Sequence, residues 1–155
     1  MLRVPGRRLA VAFGAAACLA GIVAGSASAA TTIAVGDATL IGKVVAQVPV
    51  TVSCGPLDPF AVSGTVTVQQ ARNKQIAHGQ AFYSAGQQFA GFGTPVPIVC
   101  DGTAQRFMVA VSADTSGPPF KNGTAVATAS VTLGDPATFQ LVDSAATGAV
   151  EIRLR

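Results

Sequence analysis

Few residues of this chain are suited to acid–base chemistry. His78 is the only histidine among 155 residues, and Glu151 is the only glutamate. A serine hydrolase would place the imidazole beside an activated serine, but the sequence contains no Gly-x-Ser-x-Gly motif. Glycoside hydrolysis needs two carboxylates across a cleft, whereas Glu151 stands near Arg153 on a predicted outward strand face. We therefore predict no catalytic residue and interpret His78 as a solvent-facing side chain beside Gly79.

The acidic residues do not form a pattern that binds metal. No two of them lie within five positions of each other, whereas a calcium loop needs several oxygen ligands at close spacing. The segment Asp114-Thr115-Ser116-Gly117 is similar to the Asp-Thr-Gly turn of aspartic proteases, but its glycine comes one position too late. We interpret this segment and Asp101-Gly102 as turns, and we predict neither a metal site nor a cofactor.

Aromatic residues are concentrated in one segment. Phe82, Tyr83, Phe89 and Phe92 fall within eleven residues and include the only tyrosine of the chain. Two interpretations are open. The rings can pack beneath a loop and extend the core, or they can form a contact surface for a protein, a glycan or an apolar ligand. These four residues are the candidate interaction surface.

The first 29 residues are predicted to be a secretory signal peptide. Three arginines lie within the first eight residues, an apolar run extends from Leu9 to Gly25, and Ala27-Ser28-Ala29 offers a cleavage site before Ala30. The apolar run contains three glycines, and no charged stop-transfer segment follows it. We therefore expect an extracellular protein with no stable membrane anchor after cleavage.

Cleavage changes both the charge and the cysteine content. Residues 30–155 carry seven basic and seven acidic side chains, so nothing in the charge favours binding to nucleic acid. Cys18 would leave with the signal peptide, and it is a poor lipid acceptor because the apolar run continues after it. Cys54 and Cys100 then remain, and an oxidising compartment predicts a disulfide between them rather than two buried thiols.

The pattern of apolar residues predicts strands. Valine and isoleucine greatly outnumber leucine after residue 30, and Cβ-branched side chains favour sheets. Pro49 suggests an edge strand or a strand start, because proline lacks the backbone N–H. No segment keeps a helical apolar period. Alternation of apolar and polar residues predicts strands over 39–45, 47–54, 62–69, 75–83, 96–100, 107–112, 125–133 and 150–155.

Seven or eight short strands separated by turns favour one all-β domain over residues 30–155. We predict a two-sheet antiparallel sandwich of immunoglobulin-like architecture with one inter-sheet disulfide. Two features differ from true immunoglobulin domains. The chain has no tryptophan, and Ile98 stands two residues before Cys100 where those domains have tyrosine.

Five short motifs lie between residues 48 and 135: Val50-Thr51-Val52-Ser53-Cys54, Gly64-Thr65-Val66, Cys100-Asp101-Gly102, Arg106-Phe107 and Phe120-Lys121-Asn122-Gly123. With these motifs the chain resembles small secreted actinobacterial proteins that carry a disulfide-bonded β-sandwich domain of unknown function. The resemblance implies a fold and an extracellular compartment, and it implies no activity.

These observations predict a secreted, non-enzymatic binding or interaction module of unknown ligand. General acid–base catalysis needs groups that titrate near the working pH, and this chain has very few histidines, glutamates and lysines. The expected partner is an extracellular protein, a glycan or an apolar ligand, and not a nucleic acid. The alternative is a small secreted hydrolase or an enzyme inhibitor that acts through surface loops.

Overall fold

The alternating segments form β-strands arranged in two sheets in a computed structural model of the chain. The all-β prediction is therefore confirmed. The predicted signal peptide lies outside the described residues, which are 30–56, 61–85, 93–135, 137–138 and 140–155. Within them, no helix is long and apolar enough to cross a membrane. The strands are β1 (Thr32–Val35), β2 (Thr39–Ile41), β3 (Val45–Ser53), β4 (Ala61–Arg72), β5 (Gln75–Ala85), β6 (Thr94–Pro95), β7 (Ala104–Ser112), β8 (Gly123–Gly134), β9 (Leu141–Ala146) and β10 (Val150–Leu154).

The first sheet is built around β3. Strand β7 pairs with β3 along its whole length, and β1 and β2 pair in succession with the opposite edge of β3. Pro49 therefore lies in an inner strand, not at an edge or a strand start. It faces the gap between β1 and β2, where no partner strand needs its missing N–H, and its carbonyl accepts a hydrogen bond from Gly36 at 3.1 Å.

The second sheet places β4 and β8 at its centre. β5 pairs with the outer edge of β4, and β9 and β10 pair in succession with the outer edge of β8. All these pairs are antiparallel, and the two-residue strand β6 joins β5 in parallel. Two residues far apart in sequence therefore become neighbours, as Thr65 and Ser130 do on β4 and β8.

The core lies between the two sheets. Alternate residues of β3, β4, β7 and β8 are buried, as the valine-rich alternation predicts. Isolated bridges connect the sheets on both sides, because Ala38 pairs with Leu154 and Gly79 pairs with Ala113. The two sheets therefore meet at their lateral edges as well as through their side chains.

The predicted strands differ from the observed strands in several places. Residues 96–100 form no strand, although Val96, Ile98 and Cys100 are buried, because no backbone ladder runs along them. Strands β1, β6 and β9 have no counterpart among the predicted strands. All three are short and exposed or half-buried, so none has the fully buried alternate positions of the longer strands.

The disulfide between Cys54 and Cys100 is confirmed, but its position differs from the expected link between strands of opposite sheets. Cys54 directly follows β3, and Cys100 lies in the connection from β6 to β7. The bridge therefore attaches the chain that crosses from the second sheet to the end of a strand in the first sheet. Both cysteines are buried.

Candidate binding face

The four aromatic residues of the candidate interaction surface do not share one environment. Tyr83 is 1% exposed and belongs to the core, whereas Phe82, its neighbour on β5, is 59% exposed. Successive residues of a strand point to opposite faces, which explains the difference. Phe89 and Phe92 lie outside the described residues. Of the four, Phe82 is the residue that the structure places on a surface.

Tyr83 is held in the core by three contacts. Its ring lies across Gly64, the residue paired with it on β4, where an added Cβ would collide with the ring. The ring packs against Phe107 at a centroid distance of 5.2 Å. The hydroxyl donates a hydrogen bond to the Ser130 carbonyl at 2.8 Å. Burial raises the pKa of the Tyr83 phenol, which keeps it a neutral donor.

The outward face of the second sheet carries an array of hydroxyl groups. Cross-strand pairing sets them in three rows: Ser63 beside Thr132, Thr65 beside Ser130, and Thr67 beside Thr128. Ser144 on β9 extends the first row. All seven side chains are half-buried or exposed. We call this surface the hydroxyl face; it consists of Ser63, Thr65, Thr67, Thr128, Ser130, Thr132 and Ser144.

The hydroxyl face is partly organised by its own contacts. The Thr65 and Ser130 hydroxyls lie 2.9 Å apart and form a hydrogen bond. Each hydroxyl offers one donor and two acceptor positions, so this pair keeps capacity for further hydrogen bonds. The strands below it fix the backbone of every residue in the array. The hydroxyls therefore stand at defined positions before anything binds.

Phe82 stands at the edge of the hydroxyl face. It pairs with Thr65 across β5 and β4, and Gln80 pairs with Thr67 in the next row. A cavity of about 410 Å³ opens beside Phe82 and is lined by Ser63, Gln80 and Gly93 among others. An exposed ring, an amide and Ser63 of the hydroxyl face therefore line one concave site, and the rest of the hydroxyl face lies beside it.

Charged side chains are absent from this part of the described surface. None occupies an outward position of β4 from Ser63 to Gln69, of β8 from Val126 to Thr132, or of β5 from Gln80 to Ser84. The nearest charged residue along β10 is Glu151, which pairs with Val126. The seven residues of the hydroxyl face carry no charge, and ionisable side chains border it at His78, which pairs with Gln69, and at the adjoining Asp114.

His78 does not stand alone on β5. Its Nδ1 atom lies 2.7 Å from a carboxylate oxygen of Asp114, and its carbonyl accepts a hydrogen bond from the Asp114 N–H. Both side chains are more than one-third exposed. A carboxylate that orients an imidazole through Nδ1 is part of a hydrolytic triad. Among the described residues, however, no hydroxyl forms a hydrogen bond with the Nε2 atom.

The remaining sequence candidates occupy turns. At Asp101-Gly102 the Thr103 hydroxyl and N–H both donate to the Asp101 carboxylate, at 2.6 and 2.8 Å. These hydrogen bonds lower the pKa of Asp101. Asp114 opens a turn in which the Gly117 N–H donates to its carbonyl. No group of three or more potential metal-ligating side chains occurs in the described part of the chain.

Comparisons with known proteins add no further information on function. The sequence matches no protein-family model, and a search of curated proteins finds no match. The resemblance to secreted actinobacterial proteins stays a prediction. Any functional conclusion therefore depends on the chemistry of the hydroxyl face and of the His78–Asp114 pair.

Proposed function

We propose that this protein is a secreted, non-enzymatic binding module and that it binds its ligand at the hydroxyl face and Phe82. The observation that carries the proposal is the exposed Phe82 ring beside a cavity and an uncharged array of hydroxyls. Ligand sites are typically concave and combine apolar surface with a few fixed polar groups. The site is built on adjacent strands, so little conformational entropy is lost when a ligand binds.

The exposure of Phe82 supports a role in contact rather than in folding. Buried phenylalanines such as Phe120 contribute to the core, whereas Phe82 leaves more than half of its surface in water. An exposed ring among hydroxyls and an amide gives a ligand one apolar contact and several hydrogen bonds. Such a combination fixes the orientation of a bound molecule.

Secretion is the first prediction. A buried disulfide supports an oxidising compartment, and the predicted signal peptide supports export. We expect N-terminal sequencing of exported protein to give a start near Ala30, with no lipid on Cys18. Material that begins at Cys18, or an intact Met1 in the membrane fraction, would show that the proposed localisation is wrong.

Replacing Phe82 by alanine is the second prediction. The ring is largely in water, so we expect Phe82→Ala to change the free energy of unfolding by less than about 1 kcal/mol. We also expect it to weaken retention of the ligand about three- to tenfold when the immobilised protein is incubated with medium and cell envelope of the producing cells. Retained components are identified and retested in pure form.

Met108→Ala is the matched control for this experiment, because Met108 is 45% exposed on the first sheet. The control variant should retain the ligand as well as the unmodified protein does. Equal retention by Phe82→Ala and the unmodified protein would contradict the proposed site.

The His78–Asp114 pair favours one alternative, a small secreted hydrolase, and the sequence also allows an enzyme inhibitor acting through loops. Binding ranks first because the pair lacks a hydrogen-bonded nucleophile among the described residues. Turnover of ester, peptide or glycoside substrates that disappears in His78→Ala would establish the alternative. The binding proposal expects no such turnover and unchanged ligand retention by this variant.

A further inference from the structure

We infer that the ligand of the hydroxyl face is a neutral polysaccharide. This inference rests on the binding function proposed above and names the chemical class of the ligand. Three properties of the face lead to it: a regular array of hydroxyls, one exposed aromatic ring and the absence of charge.

The array matches a ligand that itself carries many hydroxyls. Neighbouring strands lie about 4.8 Å apart, and alternate residues of one strand lie about 6.7 Å apart. The rows formed by Thr65 with Ser130 and by Thr67 with Thr128 therefore present donors and acceptors on a repeating grid. A polysaccharide also repeats its hydroxyls at regular intervals, so several hydrogen bonds can form along one chain.

Phe82 supplies the contact that hydroxyls cannot make. A sugar ring exposes a face of C–H bonds, and the negative face of an aromatic ring attracts such weakly positive hydrogens. Phe82 pairs with Thr65, so a sugar stacked on the ring also lies beside the hydroxyl array. Gln80, one row away, adds an amide donor and acceptor.

The lack of charge on the hydroxyl face favours a neutral polysaccharide over other classes of ligand. Acidic glycans and nucleic acids are bound through lysine and arginine, which are missing from the outward positions described above. Protein interfaces are enriched in aromatic residues, methionine and arginine and depleted in serine, whereas this face carries seven serine and threonine residues and one phenylalanine. An apolar ligand would cover the hydroxyl groups of the face without offering them hydrogen bonds. A neutral, hydroxyl-rich molecule fits the face best.

The inference is tested with purified protein and insoluble cellulose, chitin, α-glucan and mannan, with polygalacturonate as the acidic comparison. We expect binding to at least one neutral polymer, little binding to polygalacturonate, and no loss of binding between about 50 mM and about 500 mM NaCl. Phe82→Ala should weaken binding about three- to tenfold.

Hydroxyl removal provides the second arm of the test. Thr67→Val keeps the β-branched shape and removes one hydroxyl, so we expect binding to weaken about two- to tenfold. Thr51→Val is the matched control, because Thr51 is a half-buried strand threonine on the outward side of the first sheet. This control should bind the polymer unchanged.

The outcomes separate the inference from the proposed function. The inference is overturned if the protein binds none of the neutral polymers. It is also overturned if Thr67→Val and Thr51→Val bind equally well. If the protein nevertheless retains a protein or apolar ligand through Phe82, the binding function stands and only the ligand class is wrong. If no ligand of any kind depends on Phe82, both proposals are wrong.

Discussion

Gly64→Ala is expected to lower the free energy of unfolding by about 3 kcal/mol or more. An added Cβ at this position would collide with the Tyr83 ring and with the Ser130 carbonyl on the neighbouring strand. The Tyr83 side chain cannot move away easily, because its hydroxyl donates a hydrogen bond to the Ser130 carbonyl and its ring packs on Phe107. The carbonyl belongs to the central β4–β8 ladder, so relief requires separating two core strands.

Urea unfolding monitored by circular dichroism measures this effect, and Gly117→Ala is the control. An added Cβ at Gly117 would meet its nearest atom, the Ile76 carbonyl oxygen, at 3.5 Å, which is ordinary van der Waals contact. We expect this control to change the free energy of unfolding by less than about 1 kcal/mol. If the two alanine variants are equally stable, the packing of Tyr83 on Gly64 is wrong.

Sequence patterning predicted the long strands well for a physical reason. A strand that is buried on one face and exposed to solvent on the other must alternate between buried and exposed residues. Strand β8 does so from Ala125 to Leu133. The segment from Val96 to Cys100 also alternates in burial but forms no strand. Alternation reports which side chains face the core, and it does not report whether a backbone partner exists.

The placement of Tyr83 could have been predicted from the phase of its strand. Ala77 and Tyr83 lie on the same face of β5, and the small residues at 77, 79, 81 and 85 share that face. Taken as one group, the four aromatic residues allow two interpretations. The strand periodicity instead separates Phe82 from Tyr83, because adjacent residues point in opposite directions.

The sequence shows the residues of the hydroxyl face only as parts of separate strands. Ser63, Thr65 and Thr67 alternate with core residues, and so do Thr128, Ser130 and Thr132. On sequence alone these residues indicate strands and not a site. Their adjacency depends on pairing between β4 and β8, which are separated along the chain by β5, β6 and β7. Local patterning contains no information on such pairing.

Removing the disulfide is expected to cost about 2–5 kcal/mol of stability. The bridge closes a loop with a sequence separation of 46 residues, which restricts the unfolded chain. It also holds the connection between the sheets, where residues 96–100 have no backbone ladder. That connection is otherwise held by few hydrogen bonds. Among them, the Val96 N–H donates to the Ser84 carbonyl, the Val99 N–H donates to the Gln105 amide oxygen, and the Gln105 amide N–H donates to the Val99 carbonyl.

The double variant Cys54→Ala/Cys100→Ala measures this contribution without leaving free thiols. Its stability in urea should equal that of the reduced unmodified protein. To prepare the reduced protein, the disulfide is reduced in denaturant and the denaturant is then removed under reducing conditions. Both cysteines are at most 5% exposed, so a reductant should attack the bridge slowly in the folded state. A double variant within about 1 kcal/mol of the unmodified protein would show that hydrogen bonds and burial of Val96 and Ile98 already secure the crossing between the sheets.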